Sequence, residues 1–180
     1  MEFQEVLEKR RSVRKYQADG MPKEEELKKF IAAALEAPTW KNTETGRYYC
    51  ILSESMAREF RETCLPSFNA ERTENAAYIV ATYKKDISGF NKAEKTPDNE
   101  IGNGWGCYDL GLQNENLLLK AAEAGYATLV MGLRDTEKIR ALLSIPEDET
   151  VMSVIAIGRA DEAPSRPKRR NVEDVAKFYH

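Results

Sequence analysis

Two stretches of this chain are apolar at nearly every position: Ala76 to Tyr83 (Ala-Ala-Tyr-Ile-Val-Ala-Thr-Tyr) and Val151 to Ile157. A strand with one wet face alternates apolar and polar residues, whereas an unbroken apolar run needs cover on both sides. Both runs therefore read as central strands. Shorter strand-like segments, Tyr48 to Leu52 and Thr128 to Leu133, accompany them. Helical spacing marks the rest. Phe3, Val6 and Leu7 define a short first helix. Leu27, Phe30, Ile31, Ala34 and Leu35 line one face of a second, with Pro22 at its start, three glutamates in its first turn and Pro38 at its end. Ser55 to Cys64 and Thr136 to Leu143 are short helices. The strongest runs from Asp109 to Ala124, with Gly125 at its stop. Lys84 to Asn103 has no period and is expected to be a long loop. The polar tail from Ala160 to His180 is expected to carry a short helix near Val172 to Phe178. The irregular mixture predicts an α+β fold, a mostly antiparallel central sheet flanked by helices, in one domain over residues 1–180.

Composition removes several classes of function. The single histidine, His180, excludes Ser-His-Asp and Cys-His catalysis within one chain, and no metal site is expected. Redox or group-transfer chemistry would then come largely from a bound cofactor. Cys50, Cys64 and Cys107 form no paired or metal-binding pattern and fit reduced cytoplasmic thiols. No stretch is long and apolar enough for a membrane span, and residues 1–5 lack the features of a signal peptide. A net charge of −3 argues against nucleic acid as the main partner.

Within this mildly acidic chain, cations gather at two distant points. Five of the seven residues from Lys9 to Lys15 are basic, with Ser12 among them, and Arg166-Pro167-Lys168-Arg169-Arg170 forms a second cluster. Guanidinium groups match phosphate oxygens in pairs, and Ser12 adds a hydroxyl. The two clusters are expected either to close around one anion or to remain solvated surface charge. Gly102, Gly104, Gly106 and Gly111 do not make a dinucleotide fingerprint. They follow no strand, and from Gly104 the last position of the pattern falls on Asp109. Flexibility ahead of the long helix is the expected role of these glycines.

Several of these segments resemble the nitroreductase family of FMN-dependent oxidoreductases. The resemblance rests on Arg10-Arg11-Ser12-Val13-Arg14-Lys15-Tyr16 and on the helix ending in Ala37-Pro38-Thr39-Trp40-Lys41-Asn42. It continues through the Asp109-Leu110-Gly111 helix to Gly125, the strand from Thr128 to Gly132 and Lys168-Arg169-Arg170, in that order over almost the whole chain. It implies that Arg10, Ser12, Lys168 and Arg170 hold the FMN phosphate, a set to which the basic run adds Arg11, and that Arg14 approaches the N1–O2 edge of the flavin. Asn69 would bond the pyrimidine end, with Arg72 joining Arg14. Pro38, Thr39 and Asn42 would reach the flavin of the other subunit. Backbone groups of Val130, Met131 and Gly132 would face O4 and N5, where Gly132 allows close approach. Hydride arriving at N5 leaves negative charge near N1–O2, which fixed guanidinium groups stabilise, so no side chain need be a nucleophile.

The resemblance implies a cytoplasmic homodimer that oxidises NADH or NADPH and reduces a small nitroaromatic or quinone acceptor by ping-pong turnover. A flavin- or phosphate-binding module without turnover is the alternative, and a protein whose basic ends bind an acidic partner is a third. The chain departs from the family where Gln-Pro-Trp often follows the asparagine: here Glu44-Thr45-Gly46 stands. Glu44 would either touch the flavin or face solvent, and Trp40 would stack near the flavin or bury at a dimer interface. Phe68, Phe90, Trp105 and Tyr108 are candidate pocket aromatics, or ordinary packing.

Overall fold

The two apolar runs lie side by side at the centre of a four-stranded sheet. In the computed structural model, which describes residues 2–180, the helices are α1 (Phe3–Lys9), α2 (Glu24–Leu35), α3 (Glu54–Cys64), α4 (Ser67–Glu71), α5 (Gly104–Glu123) and α6 (Thr136–Leu143). The strands are β1 (Gly46–Ile51), β2 (Ala77–Lys84), β3 (Ala127–Met131) and β4 (Glu149–Gly158). Their order is β1-β2-β4-β3, and every pair is antiparallel.

Both central strands are covered twice, which is why their sequences do not alternate. Tyr78 and Val80 of β2 and Val154 and Ala156 of β4 face a layer containing Ala57 and Phe60 of α3 and Ile139 of α6. The intervening Ala77, Ile79, Ile155 and Ile157 face Leu27, Phe30 and Ala34 of α2 and Leu117, Leu118 and Ala121 of α5. The register shifts between Ala81↔Ser153 and Thr82↔Val151, leaving Met152 as the extra residue of a bulge with its side chain exposed.

Several sequence expectations need adjustment. α5 begins at Gly104, not Asp109, so Gly104 and Gly106 are helical. Gly106 does not supply flexibility: a Cβ there would lie 2.4 Å from the Tyr83 ring, and the absent side chain lets helix and strand approach. α4 has no counterpart in the sequence reading, because five residues are too few to show a period. Pro22 sits ahead of the α2 N-cap, Lys23, instead of in the first turn. The tail forms only a 3₁₀ turn, Val172–Asp174, and Val175 and Phe178 remain exposed because the chain offers their spacing no surface to pack against. The expected stop at Gly125 is present, with φ +78° just past the end of α5.

Candidate functional site: a basic cavity joined to a cleft

The basic run after α1 is held by alternate burial. Val13 and Tyr16 are 4% and 3% exposed, while Ser12, Arg14 and Lys15 stay on the surface. The Val13 amide donates to Thr128 O at 3.1 Å, Ser12 bridges Thr128 at the edge of β3, and Tyr16 OH donates to Val13 O. The chain leaving β4 then runs back along this segment. Tyr16 pairs with Ala160, the Gln17 amide donates to Arg159 O, and the Asp161 amide donates to Lys15 O. The Arg14 amide donates to the Glu162 carboxylate at 2.6 Å, and Lys15 pairs with Asp161 at 3.1 Å.

This return carries the second basic cluster to the first. Arg10, Arg11, Ser12 and Arg14 share a cavity of about 450 Å³ with Pro164, Ser165, Pro167 and Arg169. Partial burial, followed by the guanidinium groups of Arg166, Arg10 and Arg169, lowers the Arg11 pKa, with Glu8 opposing. The crowd of like charges is therefore a property of the fold and not of sequence proximity alone. Among the described residues Arg10 has one ionic partner, Glu115, at a loose 3.8 Å. Lys168 and Arg170, expected at this cavity, do not line it.

A second cleft, of about 750 Å³, shares Arg14 with the first. Its walls include Tyr16, Glu71, Arg72, Glu74, Asn75, Asp161 and Glu162. Arg14 and Arg72 are thus brought to one space, with four carboxylates around them. Asn69 is 7% exposed and donates its side-chain amide to Leu133 O at 3.1 Å, tying α4 to the chain after β3. Arg134 also binds this turn, donating to the carbonyls of Gly132 and Val151. Met131 is buried, but Val130 is 48% exposed and a Cβ on Gly132 would meet nothing within 4 Å. The chain's own packing therefore does not require glycine at 132.

Pro38, Thr39 and Asn42 line neither cavity in this chain. They lie on a segment where Lys41, Asn42 and Glu44 all have positive φ (48°, 55° and 47°). Glu44 is exposed, as one of its two expected placements had it, and its carboxylate accepts the Asn42 side-chain amide at 3.1 Å. Within the chain the Trp40 ring packs tilted against Trp105 with centroids 4.5 Å apart, and Tyr108 meets Trp105 edge-on. Phe90 pairs with Pro97 in an isolated bridge. Of the candidate aromatics, Phe68 does line a cavity, about 590 Å³ and shared with Leu65, Pro66 and Leu133.

A doubly covered antiparallel sheet with a cationic cavity where the chain after β4 crosses its early residues defines a recognisable class of fold. The sequence model of the Nitroreductase family matches residues 7–159, and the chain belongs to that family. Protein DrgA of Synechocystis sp. is 26% identical over 192 residues, covering 95% of this chain and 90% of DrgA. The NADH dehydrogenase of Thermus thermophilus is 23% identical over 190 residues, covering 93% and 91% of the two chains. A protein from Exiguobacterium sibiricum crystallised in complex with FMN has the same fold. Its TM-score is 0.83 at 22% identity, over 99% of this chain and 98% of that one. Among the described residues no helix is long and apolar enough to cross a membrane.

Proposed function

We propose that residues 1–180 work as one FMN-binding domain of a cytoplasmic, homodimeric oxidoreductase. It takes hydride from NADH or NADPH and reduces a small acceptor of the nitroaromatic or quinone type by ping-pong turnover. The observation that carries this reading is the meeting of Arg10, Arg11, Ser12, Arg14 and Arg169 at one cavity that continues, through Arg14, into the cleft with Arg72. A phosphate fits the first space by charge and by donors, each charge-assisted hydrogen bond contributing about 1.5–3 kcal/mol. The names of the Thermus thermophilus relative and the FMN-bound Exiguobacterium sibiricum structure support the same reading.

In this reading Arg10, Arg11, Ser12 and Arg169 hold the phosphate, while Lys168 and Arg170 add to the local positive potential. Arg14 and Arg72 stabilise negative charge in the adjoining cleft without having to reorganise. Asn69 and the backbone of Val130, Met131 and Gly132 present fixed dipoles to the ring system, and open space at Gly132 permits approach. FMN, when bound, supplies the two-electron chemistry, so the site needs no nucleophilic side chain and no histidine. Pro38, Thr39 and Asn42 serve the partner subunit's site. Exposed Phe3, Leu35, Val175, Phe178 and Tyr179 supply apolar surface for such a partner.

The test is the visible spectrum of the purified protein before and after anaerobic NADH or NADPH, followed by steady-state kinetics with a quinone. Flavin bands that bleach, and parallel double-reciprocal lines, are expected. Bands that persist with both nucleotides would replace this reading with the flavin-binding module. A colourless protein that takes up no added FMN would overturn it.

A further inference from the structure

We propose that Asp109 is a positioning residue, one that sets the segment 38–44 in the conformation that presents Thr39 and Asn42; the inference rests on the FMN reading above. Three non-glycine residues in this short segment hold left-handed backbone, a conformation that crowds Cβ against the chain. Such a conformation persists only where the surroundings over-determine it. Within the segment, the Glu44 amide donates to Thr39 Oγ1 at 3.2 Å and the Asn42 amide donates to Glu44. Among the described residues, the Thr39 hydroxyl proton and the Asn42 side-chain carbonyl are left without a hydrogen-bond partner.

Two backbone bonds, from the Asn42 amide to Thr39 O and from the Thr43 amide to Trp40 O, close the turn, and Arg47 donates to Glu44 O at its far end. The contacts that fasten its beginning come from residues 88–109. The Trp40 amide donates to Asp109 Oδ2 at 3.0 Å, and the Ser88 hydroxyl donates to the same oxygen. Lys41 Nζ reaches Asp98 at 2.7 Å, and the Trp40 ring lies on Trp105. Asp109 is the shared point of this arrangement. It is 3% exposed, and among the described residues no lysine or arginine comes within ion-pair distance of it. A buried carboxylate without a cation is costly to keep. Both bonds it accepts, at Oδ2, come from segments outside the sheet core. The chemistry fits a clamp: one fixed oxygen on a rigid helix sets the entry of the strained segment and fastens it to the loop that follows β2.

The chain supplies its own reporter. It has two tryptophans, and both lie in this stack, so exciton coupling between Trp40 and Trp105 in circular dichroism reads the clamp without any flavin. FMN affinity of the full-length protein is then measured by titration with free FMN. Asp109→Ala, at temperatures where it is folded, is expected to lose the exciton signal and to bind FMN about tenfold more weakly, because the competent conformation is populated less. The bands of the FMN it does bind are expected to shift. Asp109→Asn keeps an acceptor for the Trp40 amide and is expected to restore both signals to near wild type. A merely structural role would lower the melting temperature of Asp109→Ala while leaving flavin affinity and band position alone, and that result overturns the proposal. An Asp109→Asn no better than Asp109→Ala also overturns it. Should Asp109→Ala not fold, Ser88→Ala is read the same way, and unchanged FMN affinity there counts against the clamp. Wild-type protein that takes up no FMN defeats the underlying reading before any variant is made. Normal uptake alongside an indifferent Asp109 variant defeats the positioning role alone.

Discussion

Tyr16 pairs with Ala160 across an isolated antiparallel bridge, and this pairing returns the chain after β4 to the basic run after α1. Tyr16 is almost fully buried, its hydroxyl donates to Val13 O, and burial pushes its pKa far above the ordinary tyrosine value. Tyr16→Ala is expected to cost about 3–5 kcal/mol of stability, the range for emptying an aromatic site. Tyr16→Phe should cost about 1 kcal/mol, for one hydrogen bond. Denaturant melts distinguish the two. The phenylalanine variant should keep its FMN affinity, since the ring alone holds the crossing.

The choice of Arg169 over its neighbours is open to direct test. Arg169→Ala is expected to weaken FMN binding about 10–100-fold, for the loss of one or two charge-assisted bonds. Lys168→Ala should change it by less than about threefold, as a screened surface charge would. Fluorescence titration at two salt concentrations checks both, and equal effects would place the phosphate elsewhere.

Two glycines should respond oppositely to the same substitution. Gly106→Ala drives a methyl into the Tyr83 ring and is expected to destabilise by about 1–3 kcal/mol. Gly132→Ala meets open space, so its melting temperature should match wild type while FMN affinity falls. A Gly132→Ala protein that binds FMN normally would remove this strand end from the site.

Glu26 links stability to pH. Its pKa is lowered first by the Tyr126 hydroxyl, which donates at 2.7 Å, and then by the Lys23 amide. A depressed carboxyl pKa contributes stability above its unfolded value, and that contribution is lost as pH falls through the folded value. Tyr126→Phe should therefore lower Tm by about 2–4 °C near neutral pH. The gap should close as pH drops below the ordinary glutamate range. Melts across pH 3–7 would show this.

The central strands were legible because burial on both faces leaves a compositional mark, and the α2 and α5 stripes were legible because twelve and twenty residues show a period. The approach of the two basic clusters was readable as charge. What decided which residues face the cavity was not: in a segment without regular structure, no period tells Arg169 from Lys168 or Arg170. The bonds that Asp109 accepts leave no mark in the sequence, because Trp40 and Ser88 are contacts that only the folded chain creates, 69 and 21 residues away. The tail illustrates the reverse error. Val172, Val175 and Phe178 carry helical spacing, yet spacing stabilises a helix only when a surface receives it.

The basic cavity is assembled from residues near 10 and near 169, whereas the sheet is complete once β4 has paired. A chain cut after Ala160 would keep all four strands and the Tyr16 pairing while losing one wall of the cavity, so truncation would separate the packing of the core from the binding of an anion.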